Sequence, residues 1–235
     1  SAEDIGVVVD GSAGATGGDW TLPQDATPLI PPIPSFSLTG FGGPGAVLTY
    51  SVTPTDHLTF KNAVGQSNKL TVDFANGNPL ARGMLNYDGG WTTDSTSTSD
   101  LVLIGGDQTI DNEIVNPSGA GAGAITLSNI IGEDVHTIAY SGLSPHSIYD
   151  TIPVFNYGFA YAGDPTVGVL ISAGANSVDT GNVQTLKISS QGATPEFTDV
   201  NIANKTDVQV FQNATATGYA ATIDDALTTP VQIGR

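Results

Sequence analysis

Cysteine is absent from this 235-residue chain, and long hydrophobic runs are absent as well. Without cysteine there is no disulfide framework, no thiolate metal site and no cysteine nucleophile. No apolar run approaches the roughly 18 residues that a transmembrane helix needs. We therefore predict no membrane insertion, and stability must come from packing, backbone hydrogen bonds and bound ions.

Positive charge is also scarce. The chain has 6 Lys and Arg against 23 Asp and Glu, which gives a formal net charge of −17. No Lys or Arg occurs between Arg82 and Lys187. A surface of this kind repels phosphate backbones and anionic membranes, so it excludes nucleic-acid binding. It is also a poor host for a polysaccharide lyase, which needs a cationic base.

The start of the chain lacks an initiator Met, a basic segment and an apolar signal core. We therefore expect Ser1 to Asp4 to begin a mature chain from which an export signal has been removed. Abundant Thr, Ser, Asn and Gly with few charges are typical of exported bacterial or archaeal surface proteins. The predicted location is extracellular, secreted or on the cell surface.

Period-two alternation is the main structural signal, and it is clearest from Asn68 to Gly90, where Leu70, Val72 and Phe74 alternate with polar residues. This pattern predicts strands with one buried face, whereas a helical period is hard to find. Similar runs recur at 36–38, 46–52, 58–62, 84–87, 101–104, 108–110, 124–127, 136–140, 154–161, 167–172, 183–188, 200–202, 208–211 and 221–223. The sequence therefore predicts an all-β fold.

Two all-β architectures fit these runs. One is a parallel β-solenoid with Asn, Thr and Gly at its corners, and the other is an antiparallel β-sandwich or jelly roll. Two-residue hairpin signals between the strands are few. Their scarcity slightly favours the solenoid, and both architectures stay open at this point.

Residues 1–34 are predicted to form an extended N-terminal arm with a proline-rich spacer, and residues 35–235 an all-β body. Within the arm, Ile5, Val7, Val8 and Val9 make an isolated apolar strand with no neighbour for a tight hairpin. This strand docks either on its own body or on an open strand edge of another copy. The second alternative makes these residues a subunit interface and the protein a head-to-tail homopolymer.

Two groups of acidic residues are the candidate metal ligands. They are Asp88, Asp94 and Asp100 around a Thr/Ser loop, and Asp107, Asp111 and Glu113 in the segment GGDQTIDNE. Calcium prefers such oxygen ligands on loops. Neither an EF-hand motif nor a calcium-binding nonapeptide repeat is present, and the alternative role of these residues is hydrogen bonding within turns.

The phrases LTVDFANGNPL, GMLNYDGG, DLVLIGGD, GAITL and IAYSGLSP occur in this order within Lys69 to Pro145. This segment resembles a module of very large secreted surface proteins of planctomycete-type and cyanobacterial bacteria. Those proteins are acidic, repeat-rich and β-structured, and they are often described as adhesin-like or calcium-binding. The resemblance implies a surface role and brings no catalytic residues.

No Gly-x-Ser-x-Gly motif is present, and we predict that the protein is not an enzyme. The predicted function is structural, as a subunit of an extracellular filament, surface layer or matrix. One alternative is a carbohydrate-binding or adhesion module that recognises surface glycans, and another is a polysaccharide-active β-helix enzyme. Trp20, Trp91, Tyr157 and Tyr161 could stack on sugars, although core packing is the favoured interpretation of these aromatics.

Overall fold

The computed structural model describes residues 6–10, 19–23, 35–39, 47–51, 57–62, 64–75, 78–80, 84–93, 96–106, 110–129, 135–145, 147–162, 168–191, 194–212, 221–223 and 232–234. Within these ranges, side chains are described from residue 58 to residue 211. Of the sequence predictions, Ile5, Asp94 and Asp107 lie outside the described residues.

Strands are the main element of the described residues, which confirms the prediction of an all-β fold. Their one helical element is a 3₁₀ turn at Val178–Thr180. The strands are β1 (Gly6–Asp10), β2 (Asp19–Pro23), β3 (Ser35–Thr39), β4 (Val47–Ser51), β5 (His57–Lys61), β6 (Asn68–Asp73), β7 (Met84–Asp88), β8 (Ser99–Ile104), β9 (Asn112–Gly119), β10 (Ala122–Ser128), β11 (Val135–Ser141), β12 (Ile148–Asp150), β13 (Val154–Tyr161), β14 (Val169–Ala173), β15 (Leu186–Ser190), β16 (Val200–Ile202), β17 (Lys205–Gln212), β18 (Ala221–Ile223) and β19 (Gln232–Gly234).

These strands make two sheets, and each sheet has two edges at which no further described strand is paired. Sheet I has nine strands in the order β1-β5-β7-β11-β10-β9-β13-β17-β19. Sheet II has ten strands in the order β18-β14-β15-β16-β12-β8-β6-β2-β3-β4. Both sheets mix parallel and antiparallel pairs. The first and last strands of the chain thus lie at opposite edges of sheet I.

Consecutive strands often alternate between the two sheets. Strands β5, β6, β7 and β8 lie in sheets I, II, I and II, and each pairs in parallel with the strand two places along the chain. Strands β11 and β12 continue both ladders in parallel with β7 and β8. The β9–β10 hairpin adds an antiparallel segment to sheet I, between β11 and β13.

One apolar core is shared by the two sheets. Leu70 and Val72 of β6 are fully buried and lie beside Leu101 and Leu103 of β8 in the parallel register. Phe60 of β5 belongs to the same core from sheet I. Burial at alternate positions satisfies the period-two pattern of the sequence, because successive side chains of a strand point to opposite faces.

The two strands of the predicted N-terminal arm belong to the two sheets. Strand β1 pairs in parallel with β5, from Gly6 opposite His57 to Asp10 opposite Lys61. Strand β2 pairs in parallel with β6. The computed structure of a single chain therefore has the arm docked on its own body, which is one of the two alternatives for Val7, Val8 and Val9. The other alternative, docking on a second copy, stays a prediction.

Gly121 lies in the turn of the β9–β10 hairpin and has a positive φ of 78°. A Cβ atom built at this position would overlap the backbone carbonyl oxygen of Leu143. The amide of Leu143 donates to the Gly121 carbonyl at 3.1 Å, and the amide of Gly121 donates to Thr198 Oγ1 at 2.9 Å. The turn therefore needs glycine for both its conformation and its close backbone contact.

Replacing Gly121 by alanine is expected to lower the free energy of unfolding by about 1–3 kcal/mol, because a left-handed residue with a Cβ is strained. Gly119→Ala in the same hairpin is the matched control. A Cβ at Gly119 meets no atom within 4 Å, so we expect a change within about 0.5 kcal/mol. Denaturant melts of the two variants measure the difference, and equal midpoints would contradict the prediction.

Candidate functional site

A lysine and two carboxyl groups form a cluster in the interior. Lys205 Nζ lies 2.8 Å from Glu113 Oε2 and 2.9 Å from Asp150 Oδ1. It also donates to the backbone carbonyl of Ile152 at 2.9 Å. The Lys205 side chain is 1% exposed, and the two acidic side chains are fully buried. We call Lys205, Glu113 and Asp150 the buried triad.

Both sheets contribute to the triad. Glu113 lies on β9 and Lys205 opens β17, both in sheet I, whereas Asp150 closes β12 in sheet II. Strand β13 separates β9 from β17, so the lysine side chain reaches past one strand to Glu113. Lys205 therefore ties together three strands that are far apart in the sequence and come from both sheets.

The connections that cross between the sheets hold the triad in place. The link from β12 to β13 supplies Ile152, whose amide donates to Asp150 Oδ1 at 3.2 Å. The link from β16 to β17 supplies Asn204, which has a left-handed backbone with φ of 61° and donates from Nδ2 to the Thr151 carbonyl at 2.7 Å. Asparagine tolerates this conformation better than most residues. The two links are thus bonded to each other directly beside Lys205.

The triad perturbs the protonation of its members. Burial raises the pKa of Glu113 well above its ordinary value of 4.5, and the nearby Asp150 carboxyl raises it further, while Lys205 opposes the shift. Burial would lower the pKa of Lys205, but the charges of Asp150 and Glu113 outweigh burial and raise it above 10.5. These directions favour a lysine ammonium ion and a protonated Glu113.

Two carboxyl oxygens of the triad, Glu113 Oε1 and Asp150 Oδ2, have no hydrogen-bond partner among the described residues when both groups are treated as acceptors. The two carboxyl groups nevertheless lie within hydrogen-bonding reach of each other. One proton held between them would turn two unsatisfied acceptors into a donor and an acceptor. The geometry therefore agrees with the raised pKa of Glu113.

Tyr157 completes the surroundings of the triad. It lies opposite Glu113 in the register between β13 and β9, and its ring centroid is 5.5 Å from Lys205 Nζ. This cation–π contact favours the ammonium ion. Burial, followed by the charges of Glu113 and Asp150, raises the pKa of the Tyr157 hydroxyl well above 10. The ring also keeps water away from the lysine.

The structure places the predicted metal ligands as follows. Asp88 Oδ1 accepts a hydrogen bond from the Gly90 amide at 3.1 Å. Hydrogen bonding within a turn is the alternative role that the sequence analysis gives for these acidic residues. Asp100 is half-buried on β8, Asp111 directly precedes β9, and Glu113 binds Lys205 in the core. Among the residues that the structure describes, no three His, Asp or Glu side chains gather as a metal site. The calcium site stays a prediction.

Two of the aromatics considered for sugar stacking are core residues. Tyr157 is 1% exposed and Tyr161 is 5% exposed. Tyr161 packs on Phe197 with a centroid distance of 4.9 Å, and Phe159 also packs on Phe197, at 5.0 Å. The interpretation as core packing is therefore confirmed for Tyr157 and Tyr161. Trp91 is half-buried, and the Trp20 side chain is outside the described residues.

Sequence reasoning did not find the triad. Lys205 and Asp150 belong to none of the motifs considered above, and Glu113 was predicted to be a calcium ligand. The one signal that could have pointed to Lys205 is the rarity of its type, since only 6 Lys and Arg occur in 235 residues. A rare lysine at the start of a strand in a very acidic chain is a candidate for an interior ion pair.

Comparisons with protein-family models, with curated proteins and with solved structures find no match to this chain. The chain's function must therefore be argued from its own residues. Among the described residues, no helix is long and apolar enough to cross a membrane.

Proposed function

We propose that the protein is a secreted structural subunit that assembles end to end into an extracellular filament, surface layer or matrix. The observation that carries this proposal is the order of the strands in sheet I. Among the described strands, β1 and β19 each have a neighbour on one side only, so they form the two edges of the sheet. Open edges present unpaired backbone donors and acceptors, which can pair with a strand of another chain.

The contact in this assembly is donation of β1 from one copy to the β5 edge of the next, in place of the pairing of β1 with its own β5. The arm of one copy and the edge of the next are different surfaces, so the contact is heterologous. Heterologous contacts repeat without limit unless the rotation between copies closes a ring.

The same topology supports a wound architecture. When a chain coils around one core, successive strands are expected to lie in opposite sheets. Each strand then pairs in parallel with the strand two places away along the chain. On this proposal the protein is a two-sided β-solenoid that carries antiparallel insertions such as the β9–β10 hairpin. A coil of this kind ends in strand edges that can pair with a strand of another copy.

Calcium fits this proposal as the ion that allows close approach of the subunits. A chain with a net charge of −17 repels its copies, and the repulsion is screened by salt or neutralised by bound cations. Asp88 and Asp100 contribute oxygen atoms near the described turns, and hard cations prefer oxygen ligands. We therefore propose that divalent cations promote assembly.

Electron microscopy and sedimentation of the purified chain test the proposal. We expect ordered polymers in millimolar calcium and mainly single subunits after chelation at low ionic strength, because uncompensated acids then repel each other. High concentrations of a monovalent salt without calcium are the control that separates screening from specific binding. A chain that stays monomeric under all these conditions would contradict the structural role.

A carbohydrate-binding role is the second candidate, and one patch favours it. On the outer face of sheet I, Ile114 and Phe211 are 43% and 38% exposed and flank Gly158, which has no side chain. Phe155 on the same sheet is 58% exposed. Exposed aromatic and apolar side chains can stack on sugar rings. Binding to a glycan array by a monomeric chain would favour this role over assembly.

A further inference from the structure

The buried triad brings an amine and two carboxyl groups into contact in a site that water does not reach. Lys205 Nζ is 2.9 Å from Asp150 Oδ1, a contact that holds the amine nitrogen next to the carboxyl group whose carbon it would attack. Glu113, which lies in the same sheet as Lys205, contacts both groups. We propose that Lys205 and Asp150 condense into an intramolecular amide bond, with Glu113 carrying protons between them.

Three features of the site favour condensation over a static ion pair. The reacting groups are held by packed strands and by the Ile152 backbone, so little motion is needed to align them. Isolated charges are costly in an apolar interior, and the amide removes one positive and one negative charge. Burial also excludes the water that would hydrolyse the product. This inference is independent of the proposed structural function.

The reaction balances without an oxidant or a cofactor. Proton transfer from the Lys205 ammonium to the Asp150 carboxylate gives a neutral amine and a carboxylic acid. The nitrogen then bonds to Cγ of Asp150. Glu113, as the neutral acid, gives its proton to the hydroxyl on Cγ, which leaves as water when its bond to Cγ breaks. The Glu113 carboxylate formed in this way takes a proton from the nitrogen. Glu113 ends as the neutral acid with which it began.

Glu113 suits the relay because burial and the adjoining Asp150 carboxyl raise its pKa well above 4.5, which favours the protonated acid. Its Oε2 accepts from Lys205, and its Oε1 has no other described partner and is available to Asp150. Asp150 suits the role of acceptor because it ends β12 in sheet II, whereas Glu113 and Lys205 both belong to sheet I. The amide would therefore fasten the two sheets together.

Mass spectrometry of the denatured full chain tests the proposal. We expect a mass lower than that of the sequence by one water molecule, and the same deficit in Lys69→Met, a control that removes a lysine on the surface. Glu113→Gln keeps the shape of the side chain and is expected to retain the full mass. A folded wild-type chain with the full mass would overturn the proposal.

Tryptic peptides locate the bond. Because no Lys or Arg occurs between Arg82 and Lys187, trypsin releases residues 83–187 as one peptide that contains Asp150. The proposal predicts that this peptide is joined to residues 188–235, since an acylated Lys205 is not cleaved. Loss of water at Asp10-Gly11 or Asp88-Gly89 would instead stay within one peptide and overturn the proposal. Fragmentation that places the link on Glu113 would overturn the assigned roles.

Discussion

Replacing Lys205 by methionine is expected to lower the free energy of unfolding by at least about 3–5 kcal/mol, the usual effect of breaking a buried ion pair from one side. Methionine fills a similar volume, so the loss reflects the missing charge and not a cavity. Glu113 and Asp150 would then remain buried together without a cation. Asp150 would also lose its partner for the amide bond.

Lys69→Met is the matched control for this replacement. Lys69 pairs with Asp179 at 3.2 Å, but the two side chains are 31% and 30% exposed. An ion pair at the surface contributes less than about 1 kcal/mol, because water and salt screen it. If denaturant melts show the same midpoint shift for the two variants, the triad does not carry the stability that we assign to it.

The loss of stability caused by Lys205→Met should depend on pH. The shift in the pKa of Glu113 decides whether this loss grows or shrinks as the pH rises. Its folded pKa is raised above the ordinary value of 4.5, so the neutral acid is the stabilised form. This contribution is fully present below about pH 4.5 and is lost as the pH rises through the raised folded pKa. In the variant neither a lysine charge nor an amide offsets the Asp150 carboxyl, which therefore raises the pKa of Glu113 further. The variant should therefore lose most stability, relative to wild type, at neutral and alkaline pH.

Glu113→Gln separates the ionic part of the effect from the covalent part. Glutamine cannot relay protons as a carboxylic acid does, so no amide bond is expected in this background. In the Glu113→Gln background, Lys205→Met should still destabilise the protein, because Asp150 loses its cation. The part of the pH dependence that Glu113 causes should disappear in this background. A pH dependence that persists would mean that another group causes it.

Much of the sheet structure follows from the sequence pattern. Leu70, Val72 and Phe74 alternate with more exposed polar residues, and β6 is found where that alternation predicts it. Strand β2 was not predicted because it ends within the Pro-rich segment. Strands β12 and β19 have three residues each, too few for a periodic signal. Sheet order could not be predicted, because pairing across the chain depends on tertiary packing and not on local propensity.

The triad was hidden by the direction of its side chains. In β9, apolar preference would place Ile114 inside, whereas Ile114 is 43% exposed and Glu113 is buried. In β17, alternation back from the buried Val210 and Val208 would point Lys205 outward, yet Lys205 is buried and Thr206 is exposed. The partners Lys205 and Glu113 are 92 residues apart. Local periodicity carries no information on such a pair, and only the fold brings it together.

Deleting residues 1–10 is expected to abolish assembly and leave a folded monomer. Strand β1 contacts sheet I along one edge only, through its pairing with β5, so its removal costs the body no internal ladder. In an assembly in which the arm is exchanged, β1 of one copy pairs with β5 of the next, and backbone hydrogen bonds supply the affinity. Without the arm, each copy keeps an acceptor edge but has no strand to donate.

A synthetic peptide of residues 1–10 distinguishes strand exchange from other contacts. Added in excess to the full chain, the peptide should occupy the β5 edge and stop polymer growth, as measured by light scattering and electron microscopy. A peptide with Val7 and Val9 replaced by serine is the matched control, since it keeps the length but loses apolar side chains that alternate along the strand. It should inhibit much less. If the truncated chain still polymerises, or if it unfolds, the arm is not the link between subunits.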